Sequence, residues 1–180
     1  WCHNSGLQEP HIIPAYLVNM ATKVMFTSCC SLNAPNLRKY IKKDPEKFCV
    51  VHSTHDLELF YQIGLARKRN LVPNRLLYVG TVSKSKMHGD SAEMFSLLSK
   101  LGYDICVVGG PDHQVLLQDV VSLGGIVNVV GFSKSVLQFY KNADVFLYPL
   151  RAEHYGTGEQ VMLEAMAAGL PIVAFNNPAE

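Results

Sequence analysis

The chain has 180 residues, 48% of them hydrophobic and 17% charged, with a formal net charge of +1. That balance is globular rather than disordered and leaves ample apolar material for a core. It lacks the basic excess of a dedicated nucleic-acid binder, and no apolar run reaches the length of a membrane span.

Five cysteines, at 2, 29, 30, 49 and 106, are an odd number without metal-ligand spacing. They fit reduced thiols in a cytoplasmic setting, with adjacent Cys29 and Cys30 expected to be buried or half-buried. In chain order, residues 1–70 carry weak signals. A strand is expected at 24–27, a helix at 35–42 with Pro35 in its first turn, and a strand at 48–51. His3, His11, His52 and His55 are scattered, and none completes a zinc-ligand pattern. The polar run Arg67-Lys68-Arg69-Asn70 reads as an exposed connection with a solvated charge cluster.

From residue 71 onward strand and helix alternate. Strands are expected at 76–80, 104–110, 127–130, 144–149 and 172–175. Helices are expected at 90–101, 113–123, 135–141 and from about 158 to 168. Asp90 with Glu93 has the spacing of a capping box, as does Thr157 with Gln160. The strands show no alternation of apolar and polar residues, so both sheet faces must be covered, which predicts a parallel α/β sheet. Ligands of such sheets bind beyond the carboxyl ends of the strands, where Gly80, Gly109 and Pro149 fall.

Gly156-Thr157-Gly158 leads directly into a helix. Free N–H groups and a partial positive charge of about half an electron at a helix start favour an anion. Glu164, further along the same helix, offers a carboxylate to a sugar hydroxyl. Phosphate at the helix tip and ribose at the carboxylate outline a nucleotide-sugar site. A dinucleotide oxidoreductase fits poorly, because the third glycine position of its fingerprint is Val161 here.

The run Leu163-Glu164-Ala165-Met166-Ala167-Ala168-Gly169-Leu170-Pro171-Ile172-Val173 resembles the signature of retaining glycosyltransferases with the two-domain GT-B architecture. These are the glycosyl transferases of group 1, or family 4-like. Glu153-His154-Tyr155-Gly156 resembles the first half of that signature. Ten residues separate Glu153 from Glu164, where the family has seven, so the loop reads as three residues longer. Gly80-Thr81-Val82-Ser83-Lys84-Ser85-Lys86 resembles the family's Gly-Arg-x-x-x-x-Lys loop, with Thr81 in place of the arginine. Gly131-Phe132 resembles the place where the family's backbone meets the base, and Gly109-Gly110-Pro111 its Gly-x-Gly-Pro turn. The stretch 50–60 resembles the inter-domain crossing in its apolar frame, Asp56 and Phe60.

The resemblance implies a GT-B, Rossmann-like parallel sheet with helices on both faces, plus the tail of a second α/β domain. Residues 1–52 would close the acceptor-side domain, 53–75 would link, and 76–180 would bind the nucleotide sugar. The activity implied is transfer of a sugar from a nucleoside-diphosphate donor to an acceptor with retention of configuration. Lys86 and Glu153 would be catalytic. Gly80, Thr81, Lys86, Gly131, Phe132, Gly156, Thr157, Gly158 and Glu164 would hold the nucleotide sugar, with no metal and no further cofactor. His3 is a further candidate for the donor sugar, and His154 for a phosphate or sugar.

The expected partners are that donor and a sugar, lipid-linked or small-molecule acceptor, without nucleic acid. The expected location is the cytoplasm, compatible with peripheral contact at the inner face of a membrane. The chain starts at Trp1 and ends just after a strand, which reads as a piece of a longer enzyme that is inactive by itself. The alternative reading is a non-catalytic nucleotide-sugar-binding subunit or degenerate homologue.

Overall fold

The structure, a computed structural model, describes residues 2, 6, 11–52, 56–68, 70–154, 156 and 159–177. They form two compact units. The first comprises Trp1–His55, Glu153–Gln160 and Asn176–Glu180, and the second Asp56–Ala152 with Val161–Phe175.

In the first unit α1 (Ala15–Met20) precedes β1 (Val24–Phe26), and α2 (Arg38–Lys43) precedes β2 (Phe48–Val50). The two strands pair in parallel, Val24 opposite Phe48. Their core gathers Ile13, Val18, Phe26, Leu37 and Phe48, with the Phe26 and Phe48 rings stacked at 6.2 Å. Pro35 lies in the turn ahead of α2 rather than in its first helical turn. A 3-10 turn follows β1, because the Ser28 side chain accepts from the Cys30 N–H at 3.3 Å. That turn buries Cys30 and exposes Cys29, so only one of the adjacent thiols is inside.

The second unit opens with α3 (Glu58–Ala66), a helix the sequence did not announce. Asp56 starts it, its carboxylate accepting from the Glu58 N–H at 2.9 Å. Phe60 is its buried residue. Then follow β3 (Arg75–Val79), α4 (Ser91–Lys100), β4 (Asp104–Val108), α5 (His113–Ser122) and β5 (Asn128–Gly131). The series closes with α6 (Leu137–Asn142), β6 (Val145–Tyr148), α7 (Gln160–Ala167) and β7 (Ile172–Ala174). Helix α4 begins where expected but without the capping box, since Asp90 makes no side-chain cap. Instead the Ser91 hydroxyl donates to the His88 carbonyl at 2.7 Å.

All five strands of this unit run parallel, in the order β5-β4-β3-β6-β7. The chain steps outward from β3 to β5, then returns to the far side of β3 to lay down β6 and β7. Right-handed crossovers therefore place α4 and α5 on one face and α6 and α7 on the other. The packing agrees: α4 lies against α5, and α3 against α6. Phe95, Val107, Val120, Tyr140, Phe146 and Tyr148 are fully buried between these layers. Each such side chain contributes roughly 2 kcal/mol by leaving water. Where α3 meets α7 there is room only for glycine, since a Cβ on Gly64 would lie 2.8 Å from the Ala167 carbonyl oxygen.

At the amino-terminal edge of the sheet Asp144 is buried, just ahead of β6. Its carboxylate accepts from the backbone N–H groups of Asn74 and Arg75, the Asn70 amide and the Arg75 guanidinium, at 2.9–3.2 Å. The Arg75 hydrogen bond leads the effects that hold the Asp144 carboxyl well below the usual carboxylate range. Nearby, Arg67 donates to the carbonyls of Ala143 and Gly169 at 2.7 and 2.6 Å. The expectation of a merely solvated run at 67–70 is therefore corrected: Lys68 is exposed, but Arg67 is half-buried and Arg67 and Asn70 tie this segment to the sheet.

Candidate functional site

The strand order reverses between β3 and β6, which carry connections to opposite faces of the sheet. That switch point leaves a crevice at the carboxyl ends of the two strands. Gly80 ends β3 there, with φ +152° and with the Tyr78 and Tyr148 hydroxyls 3.2 and 3.4 Å from where a Cβ would stand. A Cβ on Gly109, after β4, would lie 1.7 Å from the Gly80 carbonyl oxygen. The Gly109 N–H in turn donates to the Gly131 carbonyl at 2.7 Å. Three glycines thus let the ends of β3, β4 and β5 approach backbone to backbone. The sequence-derived expectation that the loops after Gly80, Gly109 and Pro149 share one edge holds.

From Gly80 the chain enters the lysine-bearing loop. The Thr81 carbonyl accepts from the buried Tyr78 hydroxyl at 2.8 Å. The loop then pairs with the segment after β6: the His88 N–H donates to the Pro149 carbonyl at 2.8 Å, and the Arg151 N–H to the Lys86 carbonyl at 3.0 Å. This double seam encloses Lys86, whose residue is only 8% exposed. A loop lysine is ordinarily solvated. Lys86 is not, whereas neighbouring Lys84 is exposed.

Glu164 sits on α7, half-buried rather than on an open helix face. One carboxylate oxygen, Oε2, accepts from the Tyr140 hydroxyl at 2.7 Å. Burial first, and the Glu164 hydrogen bond second, push the Tyr140 phenol far above its ordinary pKa. It therefore stays a protonated donor. This partner lies 24 residues away in sequence on another helix, so no local pattern could disclose it. Phe132, after β5, is 83% exposed. A cleft of about 400 Å³ opens between the lysine loop and α5, lined by Val82, Leu116, Lys84 and Asp112 among others. None of the sequence-derived site residues lines it.

The other candidates lie in the first unit. Glu153 is exposed in a turn. His154 is buried rather than exposed, and its Nδ1 accepts from the Gly156 N–H at 3.1 Å. A neutral ring so placed carries its proton on Nε2. A Cβ on Gly156 would meet a Glu159 carboxylate oxygen at 2.0 Å, the movable end of a side chain, so space alone does not require glycine here. Thr157, Gly158 and His3 lie outside the described residues.

Residues 73–180 match the family model for glycosyl transferases group 1. The chain belongs to this family. Among solved structures, the Anabaena protein HepE in complex with UDP and glucose is 21% identical, with a TM-score of 0.65. That match covers 91% of this chain and 48% of HepE. WaaG, a glycosyltransferase involved in lipopolysaccharide biosynthesis, is 22% identical with a TM-score of 0.58, covering 84% of this chain and 44% of WaaG. The lipopolysaccharide outer core galactosyltransferase WaaB, in its apo form, is 19% identical with a TM-score of 0.62, covering 96% and 47%. The chain spans about half the length of the solved structures it matches. No protein of curated function matches it significantly. These likenesses establish the GT-B fold for this group 1 glycosyl transferase. Among its described residues, no helix is long and apolar enough to cross a membrane.

Proposed function

We propose that this chain carries the donor-binding part of a glycosyltransferase that moves a sugar from a nucleoside-diphosphate sugar to an acceptor with retention of configuration. The observation that carries this reading is Lys86: a lysine buried in the loop that leaves β3 at the switch point. The leaving nucleoside diphosphate gains negative charge as the glycosidic bond breaks. A cation already fixed beside it lowers that barrier without reorganising at the moment of reaction. Lys86 would supply that charge, with Gly80 and Thr81 giving backbone approach and one neutral hydrogen bond. Glu164 would hold the ribose hydroxyls, and the Gly131–Phe132 backbone the base. Gly156, Thr157 and Gly158 would present the start of α7 to phosphate. Glu153 would lie near the donor sugar. Bond cleavage and formation then rest on positioning and charge stabilisation rather than on a covalent nucleophile.

HepE was crystallised with UDP and glucose and with UDP-glucose, which supports a uridine nucleotide as the first donor to try. Residues 1–52 are proposed as the tail of an acceptor-side domain, 53–75 as the connection and 76–180 as the nucleotide-sugar domain. The proposed acceptor is a sugar, lipid-linked or small molecule met on the cytoplasmic side, with no cofactor beyond the donor itself. Calorimetric titration of a panel of nucleoside diphosphates into wild type, Lys86→Ala and Glu164→Ala tests the reading. Equal affinities in all three would refute it.

A second reading, a binding subunit without turnover, is favoured by Thr81 in place of an arginine and by the ten-residue interval between Glu153 and Glu164. Tight nucleotide binding with no sugar transfer by a longer protein containing both domains would select it.

A further inference from the structure

A continuous aromatic stack runs through the core of the second unit. Tyr78 stacks on Tyr148 at 5.5 Å, Tyr148 on Phe146 at 5.4 Å, and Phe146 on Tyr140 at 5.8 Å. Phe60 of α3 meets the Tyr140 ring edge-on at 5.2 Å. Such separations are those of favourable aromatic pairs. Each end of the stack carries a hydroxyl directed at a candidate site group: Tyr78 at the Thr81 carbonyl, Tyr140 at the Glu164 carboxylate.

We infer that Tyr140 is a positioning residue: it fixes the orientation of the Glu164 carboxylate before a ribose arrives. This rests on the reading of Glu164 as the ribose acceptor. Three facts on the molecule carry it. The Tyr140 ring is fully buried and clamped between Phe146 and Phe60, so its hydroxyl oxygen is held in one place. The phenol donates to Oε2 at 2.7 Å, a charge-assisted bond. It also reaches the Val161 carbonyl at 3.3 Å, tying the same hydroxyl to the helix one turn before Glu164. A glutamate has three side-chain torsions, and fixing them in advance removes an ordering cost from binding. Tyr140→Phe would keep the ring and its packing but remove the hydroxyl's hydrogen bond to the carboxylate.

The test is a ratio of two affinities in one protein sample. UDP and 2′,3′-dideoxy-UDP are titrated into wild type, Tyr140→Phe, Tyr78→Phe and Glu164→Gln, with other bases tried if UDP is not bound. Any partial unfolding scales both apparent affinities by the same competent fraction, so the ratio is independent of stability. Wild type is expected to prefer the ribonucleotide by about tenfold to a hundredfold, the effect of one or two charge-assisted hydrogen bonds. Tyr140→Phe should lose about threefold to tenfold of that preference, with dideoxy binding unchanged within about twofold. Tyr78→Phe removes a hydroxyl from the other end of the stack and should keep the wild-type ratio.

A Tyr140→Phe ratio equal to wild type, while Glu164→Gln loses its ratio, overturns the positioning role alone. If Glu164→Gln retains the preference, the ribose reading falls and the positioning role falls with it. A Tyr78→Phe protein that loses the ratio as fully as Tyr140→Phe also overturns the inference, because the effect then belongs to the stack and not to the hydroxyl on Glu164.

Discussion

The two edges of the central sheet are built on opposite principles. At the amino-terminal edge every donor that converges on Asp144 comes from the unit itself, and the carboxylate is enclosed by five hydrogen bonds. At the carboxyl-terminal edge three glycines bring backbones together, and Lys86 is folded under a loop seam. One edge is closed by side chains and the other by backbone contact. The amino-terminal edge thus relies on side-chain hydrogen bonds and the carboxyl-terminal edge on close backbone approach, so substitutions at the two edges should fail for different reasons.

The largest effect is expected from Gly109→Ala. A methyl group 1.7 Å from the Gly80 carbonyl, on a residue with φ +140°, forces the strand ends apart at a cost of about 3 kcal/mol or more. Urea unfolding should register it as a lower midpoint together with lost nucleotide binding. Unchanged stability would mean that the glycine seam is not what closes this edge.

Asp144→Asn comes next. It leaves Arg75 without its charge partner and should cost about 2–3 kcal/mol, less than a fully enclosed pair because Arg75 is partly exposed. The folded carboxyl titrates below its ordinary value, so its contribution is complete above about pH 4 and is lost as pH falls toward the folded value. Wild type and variant should therefore converge in stability on acidification, and nucleotide affinity at neutral pH should not move. A gap that persists at low pH would deny the charge its role.

Lys86→Ala tests the opposite edge. It should weaken a nucleoside diphosphate about tenfold to a hundredfold, the loss of one or two charge-assisted hydrogen bonds. The nucleoside without phosphates should bind wild type and variant alike. Equal loss for both ligands would make Lys86 a packing residue. Smallest of all is Phe132→Ala. The exposed ring should change stability by less than about 0.5 kcal/mol. Affinity should change less than about threefold if the backbone holds the base. A larger affinity loss would show that the ring itself stacks on the ligand.

The strands were legible because five of them lack polar alternation and carry glycine or proline at their ends; 76–80, 104–110 and 144–149 each contain the observed strand or miss it by one residue. Helix α3 was not legible. Its apolar residues Leu59, Phe60, Tyr61, Ile63 and Leu65 surround the axis instead of forming one stripe, and only Phe60 is buried. At the site, Glu164 and Lys86 were singled out by local motif, yet their environments were not. The burial of Lys86 depends on Arg151, and the hydrogen bond to Glu164 on Tyr140, both distant in sequence. His154 is different: the Gly156 N–H that engages its ring lies only two residues on, within the same loop. Glu164→Ala accordingly removes the acceptor of a buried phenol as well as a carboxylate, and should destabilise by about 1–3 kcal/mol.

The segment joining α3 to β3 carries Leu71 and Val72 in full or nearly full exposure, yet it is moored on both sides. Arg67 and Asn70 hold its upstream end to carbonyls and a carboxylate of the sheet, and the Asn74 and Arg75 N–H groups hold its downstream end. A protease that cuts between them would leave α3 attached to the sheet, with Phe60 still lodged in the core. The same place should accept an inserted tag or serve as new termini in a permuted chain.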